Sequence, residues 1–282
     1  MRKAIQILTC NGQRAGRTAV SLLVFTVAAV AAIAAVWLLW QGWRPEPPMP
    51  EERVVVDEPI VHIPKVGLVV RVAIKDQEDV VPIVEAIQRG GVTAVALQAT
   101  TRTVPQAVAR ARATFARRVL IGAAGVHTAE EVREAVRAGA EFVLMTSAEP
   151  EAIQVCKDAR VLAVPGAFTA TEIGQAWNLR TGLVALFPVG RVGPAYLRDL
   201  LREMPDITVV AAGGITPENA GEFIRAGVAA VVTSDELEVG DARDYDAMTR
   251  RARAFVDAID RARGRPVRPM SPVRPIEGPD IR

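Results

Sequence analysis

The sequence predicts an α/β protein, a (β/α)8 barrel of the TIM type preceded by a single N-terminal transmembrane helix. Short β-branched runs alternate with helical stretches at a spacing of roughly 20–25 residues, the mark of consecutive βα units. Three helix ends share one glycine junction, QRGGVTAV, VRAGAEFV and IRAGVAAV, in which glycine supplies a left-handed cap before the next strand. An uncharged apolar stretch, TAVSLLVFTVAAVAAIAAVWLLW, precedes all of this from Thr18 to Trp40.

Composition narrows the classes. Half of the 282 residues are hydrophobic, 23% are charged, and the two cysteines, Cys10 and Cys156, lie far apart. Such a chain can bury a large core, which excludes a disordered protein or a disulfide scaffold. A formal charge of +2 gives no footprint for nucleic acid.

Residues 1–17 read as a short cytoplasmic segment and 18–40 as the membrane span. At about 1.5 Å per residue the span reaches roughly 34 Å, enough to cross a bilayer core. Small residues lie in its middle and Trp-Leu-Leu-Trp follows them, unlike a cleaved signal peptide. Trp37, Trp40 and Trp43 suit the headgroup interface. Arg2, Lys3, Arg14 and Arg17 precede the span, whereas Glu46, Glu51 and Glu52 follow it. The positive-inside rule then places the N-terminus in the cytoplasm and the rest in an extracytoplasmic compartment, as for a bacterial inner-membrane protein with a periplasmic domain.

Residues 41–65, rich in proline and acid, read as an extended linker, with VVVDEPIVHI a candidate edge strand and His62 a partly buried linker residue. Residues 66–263 form the barrel. Its strand runs are GLVVRVAI (67–74), VTAVALQ (92–98), RVLIGAA (118–124), EFVLMTS (141–147), RVLAVPG (160–166), GLVALFP (182–188), ITVVAAG (207–213) and VAAVVTS (228–234). Helical stretches between them, such as EDVVPIVEAIQR and PAYLRDLLREM, repeat apolar residues at three and four. Thr128 with Glu131 forms a capping box, and Thr216-Pro217 a helix start. A doubly wound open sheet is the alternative topology. Residues 264–282 form an extended tail in which Pro266, Pro269, Pro272 and Pro275 recur at the polyproline II period, with Arg268 and Arg274 between them, suited to lying along a partner.

In such a barrel the working groups stand at the C-terminal strand ends. The mouth candidates are Lys75, His127, Thr233 and Ser234, with Gln98, Thr146 and Arg191 in the neighbouring loops. Cys156 reads as a small core residue. No metal-ligand spacing is present and no cofactor is implied. The lysines are only four, Lys3, Lys65, Lys75 and Lys157.

GGVTAVALQATTRT, GAAGVHTAEEVREAVRAGAEFVL, LAVPGAFTATEI, GLVALFPVG and AAGGITPENAGEFIRAGVAAVV resemble successive βα units of the class I keto-deoxy-phosphogluconate and keto-hydroxyglutarate aldolases, over roughly residues 66–236. GGITPENA (213–220) is the most specific match. The resemblance implies a (β/α)8 barrel and the cleavage of 2-keto acids through a lysine Schiff base, with a glutamate as acid/base. It also implies that the lysine position is Ala185, two residues before Phe187-Pro188. The glutamate position is Gln98 when matched on Arg102-Thr103, or Ala96 when matched on the preceding Gly-Gly. Gly125 stands where the family has threonine, and Thr233-Ser234-Asp235 where it has a phosphate loop. Gly213 and Gly214, with Arg102 and Arg191, are the remaining candidate anion site.

The leading functional expectation is a membrane-anchored, catalytically degenerate aldolase-like barrel. It would act as a structural or interaction subunit of a membrane complex, such as a respiratory or photosynthetic assembly, with the lipid bilayer and other subunits as partners. The alternatives are a 2-keto-acid aldolase or lyase with altered residues (His127, Lys75 or Gln98), or a module binding an anion or phosphate.

Overall fold

The computed structural model describes residues 58–98, 103–233 and 244–266. The apolar span Thr18–Trp40, the tryptophans beside it, Arg102, Ser234 and the tail from residue 267 lie outside the described residues. Among those described, no helix is long and apolar enough to cross a membrane.

Nine parallel strands join in the order β5-β4-β3-β2-β1-β9-β8-β7-β6. They are β1 (Leu68–Ala73), β2 (Ala94–Gln98), β3 (Leu120–Ala124), β4 (Phe142–Leu144), β5 (Leu162–Val164), β6 (Gly166–Ala167), β7 (Val184–Leu186), β8 (Val209–Ala212) and β9 (Ala230–Thr233). The ninth strand arises because Pro165 interrupts the run RVLAVPG: proline has no N–H for the ladder. Residues before it pair with β4 and residues after it with β7, so one stretch of chain bridges the two ends of the sheet. The eightfold reading thus holds with one strand broken in two.

The helices are α1 (Pro59–Val66), α2 (Val80–Arg89), α3 (Val104–Phe115), α4 (Ala129–Arg137), α5 (Pro150–Asp158), α6 (Ala170–Asn178), α7 (Gly193–Glu203), α8 (Pro217–Arg225) and α9 (Tyr245–Ala262). Apart from α1 they cover the outside of the strands. The core therefore has two layers. Val70, Val95, Ile121, Val143, Val184 and Val231 face the helices, where Phe115, Phe223 and Phe255 are buried. Val69, Ala94, Leu120, Phe142, Leu183, Val210 and Ala230 fill the barrel interior.

Helix α1 corrects the linker expectation over residues 59–65; residues 41–57 lie outside the described residues. Pro59 at the first position presets the helical φ, and Gly67 at φ +80° ends the helix, its N–H bonding to the Ile63 carbonyl at 2.8 Å. Ile63, 1% exposed, joins the interior cluster and closes the barrel floor. His62 is no linker residue either: it is 2% exposed and its Nε2 lies 2.8 Å from Thr93 Oγ1. A helix of eight residues, about two turns, is too short for periodicity to reveal. The capping box at Thr128 and Glu131 is present, Thr216 and Asn219 form another, and Thr169 with Glu172 a third that the sequence reading missed.

Candidate functional site

Strand alternation decides which residues can work in the mouth. Along β1, Val69 belongs to the interior, so Arg71 and Ala73 do too. Arg71 is in register with Ala96 of β2, and Ala96 with Gly122 of β3. One level higher, Ala73 pairs with Gln98 and Gln98 with Ala124. Across the barrel Ala185 lies between Gly166 and Val210. The interior above the Phe142 ring is thus walled by small residues, among which Arg71 and Gln98 are the polar side chains.

These two meet: an Arg71 guanidinium N–H donates to Gln98 Oε1. Gln98 is held from the other side by Gly125, whose φ of +73° suits glycine, and a Cβ there would stand 3.1 Å from Gln98 Cγ. The Gly125 position and the Gln98 position are therefore coupled: a side chain at one occupies the space of the other. A guanidinium fixed in this way presents planar N–H donors suited to a carboxylate.

Sequence reasoning passed over Arg71. The available signal was a single charge in the middle of LVVRVA. Inside a barrel strand such a residue must face either the helix layer or the interior, and the interior mouth is where a polar group gains partners.

The other mouth candidates separate. His127 and Thr146, both exposed, come together at the ends of β3 and β4, with Thr146 Oγ1 and His127 Nδ1 at 3.0 Å. The His127 N–H donates to Glu131 at 2.6 Å. Glu131 is pushed up by partial burial, but the N–H groups of His127 and Thr128 hold it below the ordinary carboxylate value. Lys75 is exposed on the loop after β1. Thr233 is not a mouth residue: its neighbour Val232 is interior, so alternation along β9 turns Thr233 to the helix side, where it is fully buried.

Gly213 and Gly214, at φ +83° and +74°, turn the chain after β8. The Gly190 N–H donates to the Gly213 carbonyl at 2.9 Å, so this turn packs on the loop that carries exposed Arg191. Asn219 occupies two groups of the turn, accepting from the Thr216 N–H and donating to the Gly214 carbonyl. Cys156 sits in α5, fully buried, and burial pushes its thiol up to about 12.

The family model described as KDPG and KHG aldolase matches residues 60–251. The 2-dehydro-3-deoxy-phosphogluconate aldolase of Treponema pallidum is 28% identical over 202 residues, 69% of this chain and 96% of that protein. The 2-dehydro-3-deoxy-6-phosphogalactonate aldolase of Escherichia coli is 34% identical over 147 residues, 51% of this chain and 71% of that protein. Among solved structures, a native KDPGal structure superposes with a TM-score of 0.66 at 26% identity, covering 70% of this chain and 96% of that one. The KDPG aldolase of Legionella pneumophila, solved with pyruvate as a covalent carbinolamine, superposes with a TM-score of 0.62 at 22% identity, covering 67% and 93%.

Proposed function

Because the chain belongs to the KDPG and KHG aldolase family, we propose that its barrel mouth binds a small 2-keto acid or a related carboxylate without forming a covalent adduct. The carrying observation is the exchange of groups inside the barrel. A carbinolamine of the Legionella kind needs an amine facing the interior. Here Ala185 occupies the position the resemblance gives to the lysine, and Lys65, Lys75 and Lys157 are all exposed. Lys3 precedes the apolar span. Neither Ala96 nor Gln98 supplies a carboxylate for proton transfer. What the interior does supply is the Arg71 guanidinium, fixed by Gln98 and surrounded by small walls.

On this reading the domain is a binding module or accessory subunit. Thr18–Trp40 anchors it in the inner membrane with the domain on the extracytoplasmic side, and the proline-arginine tail engages other subunits. The test uses pyruvate. It raises the unfolding temperature of the chain, the rise is lost in Arg71→Met, and borohydride traps no adduct. A borohydride-trapped lysine, or the absence of any response to 2-keto acids, overturns the proposal.

One observation favours a second reading, a lyase with altered groups: the His127–Thr146 pair places a base beside a hydroxyl at the mouth. It requires pyruvate release from a keto-deoxy sugar acid that His127→Ala abolishes.

A further inference from the structure

We infer that the N-terminal face of the barrel, opposite the mouth, is a docking surface for an anionic phospholipid bilayer. The inference rests on the membrane-anchor reading of Thr18–Trp40 for its biological setting, but its evidence lies in the folded domain. Because all strands are parallel, every helix-to-strand junction lies at one end of the barrel. At three of these junctions the left-handed position is glycine: Gly91, Gly139 and Gly227. At three others it is arginine: Arg117 at φ +66°, Arg160 at +57° and Arg180 at +54°. Among the described residues these are the non-glycine residues with positive φ.

Arginine is an unfavourable choice there, because its Cβ crowds the backbone in a conformation that glycine adopts freely. The three side chains are exposed and make no hydrogen bond or ion pair among the described residues, so no local contact offsets the strain. Their placement has a pattern. They precede β3, β5 and β7, while Lys65 stands before β1 and Arg265, after α9, donates to the Lys65 carbonyl at 3.0 Å; both are exposed. With β5 and β6 counted as one broken strand, these positions are the first, third, fifth and sixth of the eightfold ring, so positive charge runs round it from β1 to β7. The carboxylates Glu141 and Asp260 at this end are engaged by Arg112 and Arg265, leaving Glu58, Asp158, Glu203 and Asp206 exposed.

Helix α1 lies across the floor of this ring. Its Ile63 points into the barrel, and on the outside it shows Ile60 at 39% and Val61 at 55% exposure. An apolar centre beside a basic rim that runs from β1 round to β7 fits a broad anionic surface with an apolar layer beneath. A single acidic peptide would need the charges on one line. Glu58, the first described residue and the one that follows the apolar span and linker in sequence, lies on this same face. The opposite end is acidic, with Glu130, Glu151, Glu172 and Glu218 in the first turns of their helices. Docking by the N-terminal face leaves the mouth open to solvent.

The test is hydrogen exchange on the full chain in lipid nanodiscs, either neutral phosphatidylcholine or an equal mixture with phosphatidylglycerol. Residues 59–66 and the three arginine junctions become protected in the anionic discs alone, and high salt removes the protection. At about fivefold per arginine near an anionic surface, Arg117→Gly/Arg160→Gly/Arg180→Gly weakens docking on the order of a hundredfold. Its unfolding temperature does not fall, since glycine relieves the left-handed strain, which separates docking from folding. Equal exchange in both discs, while the chain stays disc-bound, refutes docking and leaves the anchor standing. Failure of the chain to remain in neutral discs refutes the anchor. Docking is then decided by whether the domain still binds anionic vesicles. Protection seen in native membranes and absent from anionic discs assigns the face to an acidic protein and overturns the lipid proposal.

Discussion

Ile63→Ala tests whether the segment before β1 belongs to the folded domain. Ile63 is 1% exposed and packs with Val69, Leu120 and Leu183 in the barrel floor. Truncation to alanine removes three buried carbons, at about 0.8 kcal/mol each, or roughly 2.4 kcal/mol of transfer free energy. A cavity term adds to this, reduced because α1 lies at the surface and can settle toward the strands, so the total is about 3 kcal/mol. For a domain of this size that corresponds to a fall of about 6–12 °C in unfolding temperature. Val61→Ala is the control. At 55% exposure on the same helix it should change stability by less than about 0.5 kcal/mol. Thermal unfolding of both variants and the parent, followed by circular dichroism, decides the matter. If Ile63→Ala melts with the parent, residues 59–66 do not close the barrel and the packing argument fails.

Other outcomes follow from the caps, the mouth and the buried thiol. Thr128→Ala and Thr169→Ala each remove an N-cap acceptor and should cost about 1 kcal/mol by urea titration. The Glu172 carboxylate accepts the N–H groups of Thr169 and Phe168, which hold it below its ordinary value of 4.5. Its stabilising contribution is therefore complete above that value and is lost as the pH falls through the lower folded one. Glu172→Gln should lose less stability than the parent on acidification from about pH 5 to about pH 3; parallel urea midpoints across that window would contradict this. Gly125→Thr places a β-branched residue at φ +73° against Gln98, so it should cost about 1–3 kcal/mol and abolish the thermal response to pyruvate. An unchanged response would remove Gln98 from the site. In a Cys10→Ser background, Cys156, raised to about 12 by burial, should react with thiol reagents at about pH 8 only as fast as the domain opens. Rapid reaction of the native protein would show that α5 does not seal it.

Local pattern carried most of the architecture. Alternation of β-branched runs with amphipathic helices, closed by glycine junctions, was enough for a parallel barrel, because strand and helix periods are written in consecutive residues. The apolar stretch Thr18–Trp40 and the absence of a lysine at Ala185 are likewise plain in the sequence. What lay beyond it depended on contacts between residues distant along the chain. Whether Arg71 faces the interior, and that it meets Gln98 above Gly125, follows from strand register, which one residue of slip would reverse. Helix α1 owes its place to one isoleucine filling a hole made by strands far from it in sequence. Arg117, Arg160 and Arg180 are unremarkable arginines in the linear text. Only the fold sets all three at left-handed junctions on one face, because parallel strands gather every such junction at the same end.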